Sequence, residues 1–165
     1  MSRVLFVCMG NICRSPTAEG VMRKHLQEHG LSRRVQVDSA GLESYHVGDA
    51  PDRRAQAAAW QRGYDLSGLR ARRVVREDFA HFDHILAADR SVLNELRRLC
   101  PSEYAARLGL CLDYSQGFKG QDIPDPYYGR ADGFERVLDM TEDMVSGLLQ
   151  SFGVPHEPKP AGPAG

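Results

Sequence analysis

The chain has 165 residues and a formal net charge of -1 at pH 7, with 42% hydrophobic and 26% charged residues. These proportions are ordinary for one globular domain, and the near-balance of charge excludes the strong basic bias of a nucleic-acid-binding protein. We therefore expect no nucleic-acid partner. No apolar run approaches the roughly 20 residues that cross a bilayer, so we also expect no membrane insertion.

Short apolar runs alternate with longer segments of helical spacing along the chain. The predicted elements are strands at 3–7, 34–38, 84–88 and 107–112, and helices ending near Gly30, ending near Gly63, at 91–99 and at 133–152. An alternation of this kind is typical of a parallel sheet with helices on both faces. We therefore predict a single α/β domain.

Two of the predicted helices have marked beginnings. Ser15 is a suitable N-cap for the first helix and Pro16 suits the next position, while Asp132 and Glu135 form a capping-box-like pair at the last one. The chain after residue 152 is rich in proline and glycine, so it buries too little to offset the entropy of ordering. We predict a domain over 1–152 and a disordered tail over 153–165.

Cysteine usage bears on the compartment. The residues before the first strand lead into only four apolar residues, too few for the hydrophobic part of a secretory signal. The cysteines are Cys8, Cys13, Cys100 and Cys111, and none forms a CxxC pair. Without a secretory signal, an even number of cysteines does not predict a disulfide framework. We expect reduced thiols and a cytoplasmic protein, with signal-independent export left open.

The connection between the first strand and the first helix reads CMGNICRSP over residues 8–16. In a parallel α/β sheet it leads from the carboxyl end of a strand to a helix N-terminus, where backbone N–H groups can surround an anion. Gly10 and Asn11 suit the unusual backbone conformations of such a turn. The loop therefore predicts an anion site that fits a phosphate dianion.

Cys8 and Arg14 stand at the two ends of this loop, with five residues between them. A thiol can then lie beneath the anion while a guanidinium binds two of its oxygens. A helix N-terminus and a nearby cation favour the nucleophilic thiolate, and Ser15 can donate a hydrogen bond to the sulfur. A lone cysteine at a strand end is more often a small buried apolar residue. Arg14 at this spacing favours the nucleophile.

The whole run Cys8–Pro16 resembles the signature loop of the low-molecular-weight protein tyrosine phosphatases. The resemblance continues at 37–41, 83–91 and 125–129 and covers nearly all of the chain except the tail. It implies a flavodoxin-like four-stranded parallel sheet of order 2-1-3-4. It also implies hydrolysis of phosphotyrosine in a protein substrate, and of small aryl phosphates, through a phosphocysteine on Cys8. We expect no cofactor or metal, because amides and a guanidinium supply the positive field; we expect a monomer, with weak dimerisation left open.

The same resemblance assigns roles to individual residues. The resemblance implies that Asp125, which lies between two prolines, is the general acid for the tyrosyl oxygen and then the base for water. The alternative is a turn in which the carboxylate of Asp125 caps a backbone N–H. The resemblance makes Tyr127 one wall of the substrate slot and Tyr45 a second wall. His46 could contact substrate, but we interpret it as an exposed loop residue. Ser39 and Asn11 become residues that hold the loop in shape. The predicted phosphate-binding residues are Met9, Gly10, Asn11, Ile12, Cys13 and Ser15.

Several features leave alternatives open. Leu69 stands where many family members have a histidine that binds the loop asparagine, so the partner of Asn11 is left to a water or another side chain. Leu42 stands where threonine is frequent. The basic run at 70–73 is interpreted as solvated surface, and Asp89 as the cap of the helix near residue 91.

The resemblance also leaves other chemistries open on the same fold. Thioredoxin-coupled arsenate reductases need two further cysteines after the third strand, and residues 87–99 contain none, which argues against reductase activity. Phosphoarginine phosphatases typically carry threonine where Ile12 stands, so Ile12 favours phosphotyrosine as the substrate. A non-catalytic phosphate-binding module would keep Arg14 but could lose the nucleophile or the acid. Cys13 is either a buried packing thiol or a residue that traps oxidised Cys8 as a reversible disulfide.

Overall fold

The computed structural model describes residues 1–127, 129 and 132–154. Most of the predicted tail, from residue 155 onward, lies outside the described residues. Val154 follows the last helix, donates its N–H to the carbonyl of Leu149 at 3.1 Å and packs against the core. The elements in chain order are β1 (Ser2–Cys8), α1 (Arg14–Glu28), β2 (Val35–Gly41), α2 (Arg53–Gln61), α3 (Arg76–His81), β3 (His84–Ala87), α4 (Arg90–Leu99), a 3₁₀ helix (Ser102–Arg107), β4 (Leu108–Leu110), a second 3₁₀ helix (Cys111–Tyr114) and α5 (Asp132–Ser151).

The four strands form one parallel sheet of order β2-β1-β3-β4, which confirms the predicted fold class. Alternate side chains of β1 enter two different cores. Val4 and Phe6 pack in a cluster with residues of α1 and α5, whereas Leu5 and Val7 pack with residues of α3 and α4. Helices therefore cover both faces of the sheet. No helix in the described part of the chain is long and apolar enough to span a membrane.

The sheet topology selects the position of a ligand site. β1 has β2 on one side and β3 on the other, so the connections after β1 and β3 diverge at neighbouring carboxyl ends, where open α/β sheets bind ligands. The N–H of Ala88, just after β3, donates to the carbonyl of Val7 at 2.9 Å, and the N–H of Ile123 donates to the carbonyl of Ala88 at 2.9 Å. Three distant segments therefore meet beside the loop at 9–13.

The end of β2 also supports this loop. β2 extends to Gly41, beyond the predicted end at 38, because it pairs with β1 along its whole length. A Cβ at Gly41 would lie 2.9 Å from the carbonyl oxygen of Met9, so this approach requires glycine. The next residue, Leu42, donates its N–H to the same carbonyl at 2.9 Å.

Some predicted boundaries were wrong. α1 begins at Arg14 with Cys13 at the N-cap position, so Ser15 is not the N-cap, and its hydroxyl is used inside the loop instead. Asp132 lies inside α5 rather than before it, and the carboxylate of Glu135 binds Arg62 at 2.6 Å instead of closing a capping box.

The third and fourth strands are shorter than predicted. β3 ends at residue 87 rather than 88, and β4 spans 108–110 rather than 107–112 because a 3₁₀ helix precedes it and another follows it. α3 was not predicted, since six residues give too short a helical repeat to recognise.

Candidate active site

A cavity of about 110 Å³ opens at the carboxyl ends of β1 and β3. The cavity is lined by residues at the end of β1, in the loop after β1, in the segment after β2 and in the segment that precedes α5. The lining residues are Cys8, Met9, Gly10, Ile12, Cys13, Arg14, Glu43, His46, Asp125 and Tyr127. The three residues predicted to carry the chemistry, Cys8, Arg14 and Asp125, therefore line one cavity.

Cys8 is the last residue of β1 and is buried. Its Sγ lies 3.0 Å from Oγ of Ser15. Oγ of Ser15 already accepts a hydrogen bond from the side-chain amide of Asn11 at 2.8 Å, so the hydroxyl proton of Ser15 is left for another acceptor. A thiolate on Cys8 can accept a hydrogen bond from that hydroxyl, which stabilises the negative charge on the sulfur.

Asn11 is held by three hydrogen bonds and adopts the left-handed conformation with φ at 58°. Its amide group donates to Ser15 and, at 2.9 Å, to Oγ of Ser39. Its side-chain oxygen accepts the backbone N–H of Arg72 at 3.0 Å. The partner that the sequence left open is therefore a peptide group, and it lies three residues after Leu69.

Arg72 is anchored in its turn. Its guanidinium binds carboxylate oxygens of Asp38 and Asp78, each at 3.1 Å, and Asp78 is buried. The interpretation of 70–73 as solvated surface is therefore wrong for Arg72, which ties the loop at 69–73 to β2 and α3.

Ser39 connects the phosphate loop to a buried carboxylate on α1. Its hydroxyl donates to Oε1 of Glu19 at 2.7 Å, and Nε of Arg23 donates to Oε2 at 2.7 Å. Burial raises the pKa of Glu19 above its usual value, while the bonds from Ser39 and Arg23 oppose the rise. The sequence analysis did not identify Glu19, although the spacing of Glu19 and Arg23 is that of a helical ion pair.

Arg14 is almost fully buried, and its guanidinium is oriented from behind. Nη1 donates to Oδ2 of Asp89 at 2.6 Å and to the carbonyl of Ile123 at 2.8 Å. Burial disfavours the charge on Arg14, but the electrostatic interaction with Cys8 and the hydrogen bond to Asp89 outweigh this effect and raise the pKa of Arg14. The other oxygen of Asp89 accepts the N–H of Val92 at 2.8 Å, so the predicted helix cap is also an anchor for Arg14.

Asp125 faces the cavity from a segment without regular structure. Its Oδ1 accepts the N–H of Tyr127 at 3.0 Å, and its Oδ2 lies 3.8 Å from Nη2 of Arg14. The side chain is 43% exposed, so it can reach a ligand at the cavity entrance. The turn and the position at the cavity, which the sequence presented as alternatives, therefore occur together.

The two sides of the cavity entrance differ in part from the prediction. Tyr127 lines the cavity as predicted, and His46, with its ring centre 6.2 Å from that of Tyr127, lines it too. Tyr45 is 85% exposed, is absent from the lining and packs edge-on against His46. The role of Tyr45 as a wall of the substrate slot stays a prediction. His46 lines the cavity here because it packs against Gly10 and lies 3.2 Å from the carboxylate of Asp49.

Residues 3–155 match the family described as low molecular weight phosphotyrosine protein phosphatase. The chain belongs to this phosphatase family. A low molecular weight protein-tyrosine-phosphatase of Streptomyces coelicolor is 44% identical over 150 residues, which are 89% of this chain and 91% of that protein. The low molecular weight phosphotyrosine protein phosphatase of Homo sapiens is 43% identical over 136 residues, or 81% and 85% of the two chains.

The fold agrees with that of solved phosphatase structures. The crystal structure of a protein tyrosine phosphatase from Entamoeba histolytica superposes with a TM-score of 0.89 at 41% identity and covers 93% of this chain and 97% of that one. These comparisons confirm the family that the loop at 8–16 indicated.

The remaining cysteines of this phosphatase are free thiols: Cys13, Cys100 and Cys111 all lie in the described part of the chain. Cys13 lines the cavity, and burial, with a further contribution from the negative Asp52, raises the pKa of its thiol well above the usual value. The trapping of oxidised Cys8 by Cys13 stays a prediction. Among the described residues, no group of three or more His, Cys, Asp or Glu side chains could hold a metal ion.

Proposed function

We propose that this chain hydrolyses phosphotyrosine in protein substrates, and small aryl phosphates, with Cys8 as nucleophile, Arg14 as phosphate ligand and Asp125 as general acid and base. The main support for this function is that Cys8, Arg14 and Asp125 line the same cavity. The substrate class is supported by the names of the relatives, which are protein tyrosine phosphatases.

In the first step, the thiolate of Cys8 attacks phosphorus in line with the bond to the tyrosyl oxygen. An S–P bond forms and the P–O bond breaks. Arg14, with Nη1 held by Asp89 and Ile123, uses its other nitrogens to stabilise the negative charge on the phosphoryl oxygens, and the N-terminus of α1 contributes its positive end. Ser15 stabilises the sulfur before attack and again when it leaves.

The leaving oxygen needs a proton because a phenol has a pKa of about 10 and its anion leaves poorly. Asp125 donates that proton as the P–O bond breaks. A water molecule then attacks the phosphocysteine while Asp125, now a carboxylate, takes its proton. The S–P bond breaks, inorganic phosphate forms and the thiolate of Cys8 is restored. Tyr127 and His46 border the entrance, where they can contact the two faces of the phenyl ring.

The nucleophile is tested with Cys8→Ser, using Cys100→Ser at the end of α4 as the matched control. We expect Cys8→Ser to bind phosphotyrosine peptide but release no phosphate, and Cys100→Ser to hydrolyse at the wild-type rate. Near-normal hydrolysis by Cys8→Ser would overturn the proposal. A wild-type protein that binds 4-nitrophenyl phosphate without releasing nitrophenol would instead be the phosphate-binding module.

The substrate is tested by comparing kcat/KM for phosphotyrosine and phosphoarginine. Ile12 lines the cavity with an apolar side chain, which suits the phenyl ring of phosphotyrosine better than the polar guanidino group of phosphoarginine. We expect phosphotyrosine to be preferred, and replacement of Ile12 by threonine to reduce the preference. A higher kcat/KM for phosphoarginine in the wild type would contradict the substrate assignment.

A further inference from the structure

Arg54, in the first turn of α2, connects two parts of the cavity. Its guanidinium binds both carboxylate oxygens of Asp52, with Nε 3.2 Å from Oδ1 and Nη2 3.0 Å from Oδ2. The backbone N–H of Asp52 donates to the carbonyl of Ile12 at 2.8 Å. On this side, Arg54 is therefore attached to the phosphate loop.

On its other side, Arg54 holds the segment that carries Asp125. Nη2 donates to the carbonyl of Tyr127 at 3.0 Å, and the guanidinium carbon lies 5.6 Å from the centre of the Tyr127 ring and 4.9 Å from that of Phe134. The N–H of Tyr127 in turn donates to Oδ1 of Asp125. A continuous series of contacts therefore runs from the phosphate loop to the carboxylate of Asp125.

The segment around Asp125 depends on such contacts. It belongs to no helix or strand, and Asp125 itself is 43% exposed. Upstream, buried Ile123 is fixed by the hydrogen bond to Ala88. Downstream, the contact with Arg54 fixes the peptide of Tyr127, whose N–H binds the carboxylate.

We propose that Arg54 is a positioning residue that holds Asp125 where it can protonate the leaving oxygen. The proposal rests on the proposed function, because it takes Asp125 as the general acid. The cap of α2 does not require the Arg54 side chain, since Asp52 accepts the backbone N–H groups of Arg54 and Ala55. Loss of the guanidinium therefore removes the link to Tyr127 while the cap remains. A misplacement of about 1 Å can lower a catalytic rate by about 100-fold.

The first test compares leaving groups. We expect Arg54→Ala to lower kcat/KM about 30-fold for phenyl phosphate, which needs the acid, and less than about threefold for 4-nitrophenyl phosphate, whose leaving group is more acidic. Arg53→Ala removes the same charge from the neighbouring exposed position and should change both values less than about twofold. An equal loss on both substrates, or no loss, would overturn the proposal.

The second test is a double-mutant cycle with Asp125→Ala. If Arg54 acts through Asp125, Arg54→Ala should have less than about a twofold effect on phenyl phosphate when Asp125 is already alanine; the full 30-fold loss there would refute the positioning role. Arg54→Lys, which keeps one donor for the Tyr127 carbonyl, should recover part of the activity and serves in the same cycle if the alanine variant does not fold. If Asp125→Ala itself showed no dependence on the leaving group, the acid assignment would fail instead.

Discussion

Replacement of Asn11 offers a quantitative test of how the phosphate loop is held. Asn11 donates to Ser15 and Ser39 and accepts the N–H of Arg72, and it does so at a φ of 58°. Asn11→Ala removes all three hydrogen bonds and forces alanine into a left-handed conformation. Asn11→Gly removes the same bonds without that strain, so the pair separates the two effects.

The expected size follows from these contacts. Three buried or half-buried hydrogen bonds at about 1 kcal/mol each give roughly 3 kcal/mol. Alanine at positive φ adds at least about 1 kcal/mol relative to glycine. We therefore expect Asn11→Ala to lower the free energy of unfolding by about 4 kcal/mol and Asn11→Gly by about 3 kcal/mol. Both variants should also lose activity, because Ser15 is no longer held beside Cys8.

Urea unfolding followed by far-ultraviolet circular dichroism measures the stability, and hydrolysis of 4-nitrophenyl phosphate measures the activity. Asn94→Ala, at an exposed position of α4, is the matched control and should change the free energy of unfolding by less than about 0.5 kcal/mol. A loss below about 1 kcal/mol for Asn11→Ala, or a larger loss for the glycine variant, would refute the reasoning.

Three further predictions follow from particular contacts. A Cβ at Gly147 would lie 1.7 Å from a backbone carbonyl oxygen of the second 3₁₀ helix, so Gly147→Ala should lower the free energy of unfolding by about 3 kcal/mol in urea titrations, and unchanged stability would contradict this packing. Asp52→Ala should cost about 1 kcal/mol at pH 7 through loss of the α2 cap. Although burial raises the pKa of Asp52, hydrogen bonds from Arg54 lower it below its usual value, so the stabilisation is present above about pH 4 and is lost as the pH falls further; a difference that grows in acid would be the wrong sign. Asp89→Asn keeps one oxygen for the α4 cap but removes the charge opposite buried Arg14, so kcat/KM should fall about tenfold and the free energy of unfolding by about 2 kcal/mol, whereas a variant with wild-type kcat/KM would show that this charge is not needed.

The fold and the main features of the cavity were predictable because they depend on repeated patterns. The alternation of apolar runs and helical segments indicates a parallel sheet, and a parallel sheet brings the carboxyl ends of its strands to one edge. Cys8 and Arg14 follow directly from the loop at that edge. Asp125 needed the family resemblance, since a Pro-Asp-Pro turn on its own predicts only a capped backbone.

Other features of the site could not be read from the sequence. Tyr45 and His46 are neighbours in a loop without periodicity, and the ring that enters the cavity is selected by the packing against Gly10 and the contact with Asp49. Ser15 has the side chain of a good N-cap, but its hydroxyl lies between Asn11 and Cys8. In such places tertiary contacts override the local preference of a residue type.

The hydrogen bond from the backbone N–H of Arg72 to Asn11 depends neither on the side chain at position 72 nor on pH. Its donor is a peptide N–H, which every residue except proline supplies, so side-chain substitutions at this position leave the donor itself in place. A peptide group also has no protonation equilibrium, whereas an imidazole changes charge between about pH 5 and pH 8. This phosphatase therefore orients the side-chain oxygen of its loop asparagine through a contact that is independent of acidity.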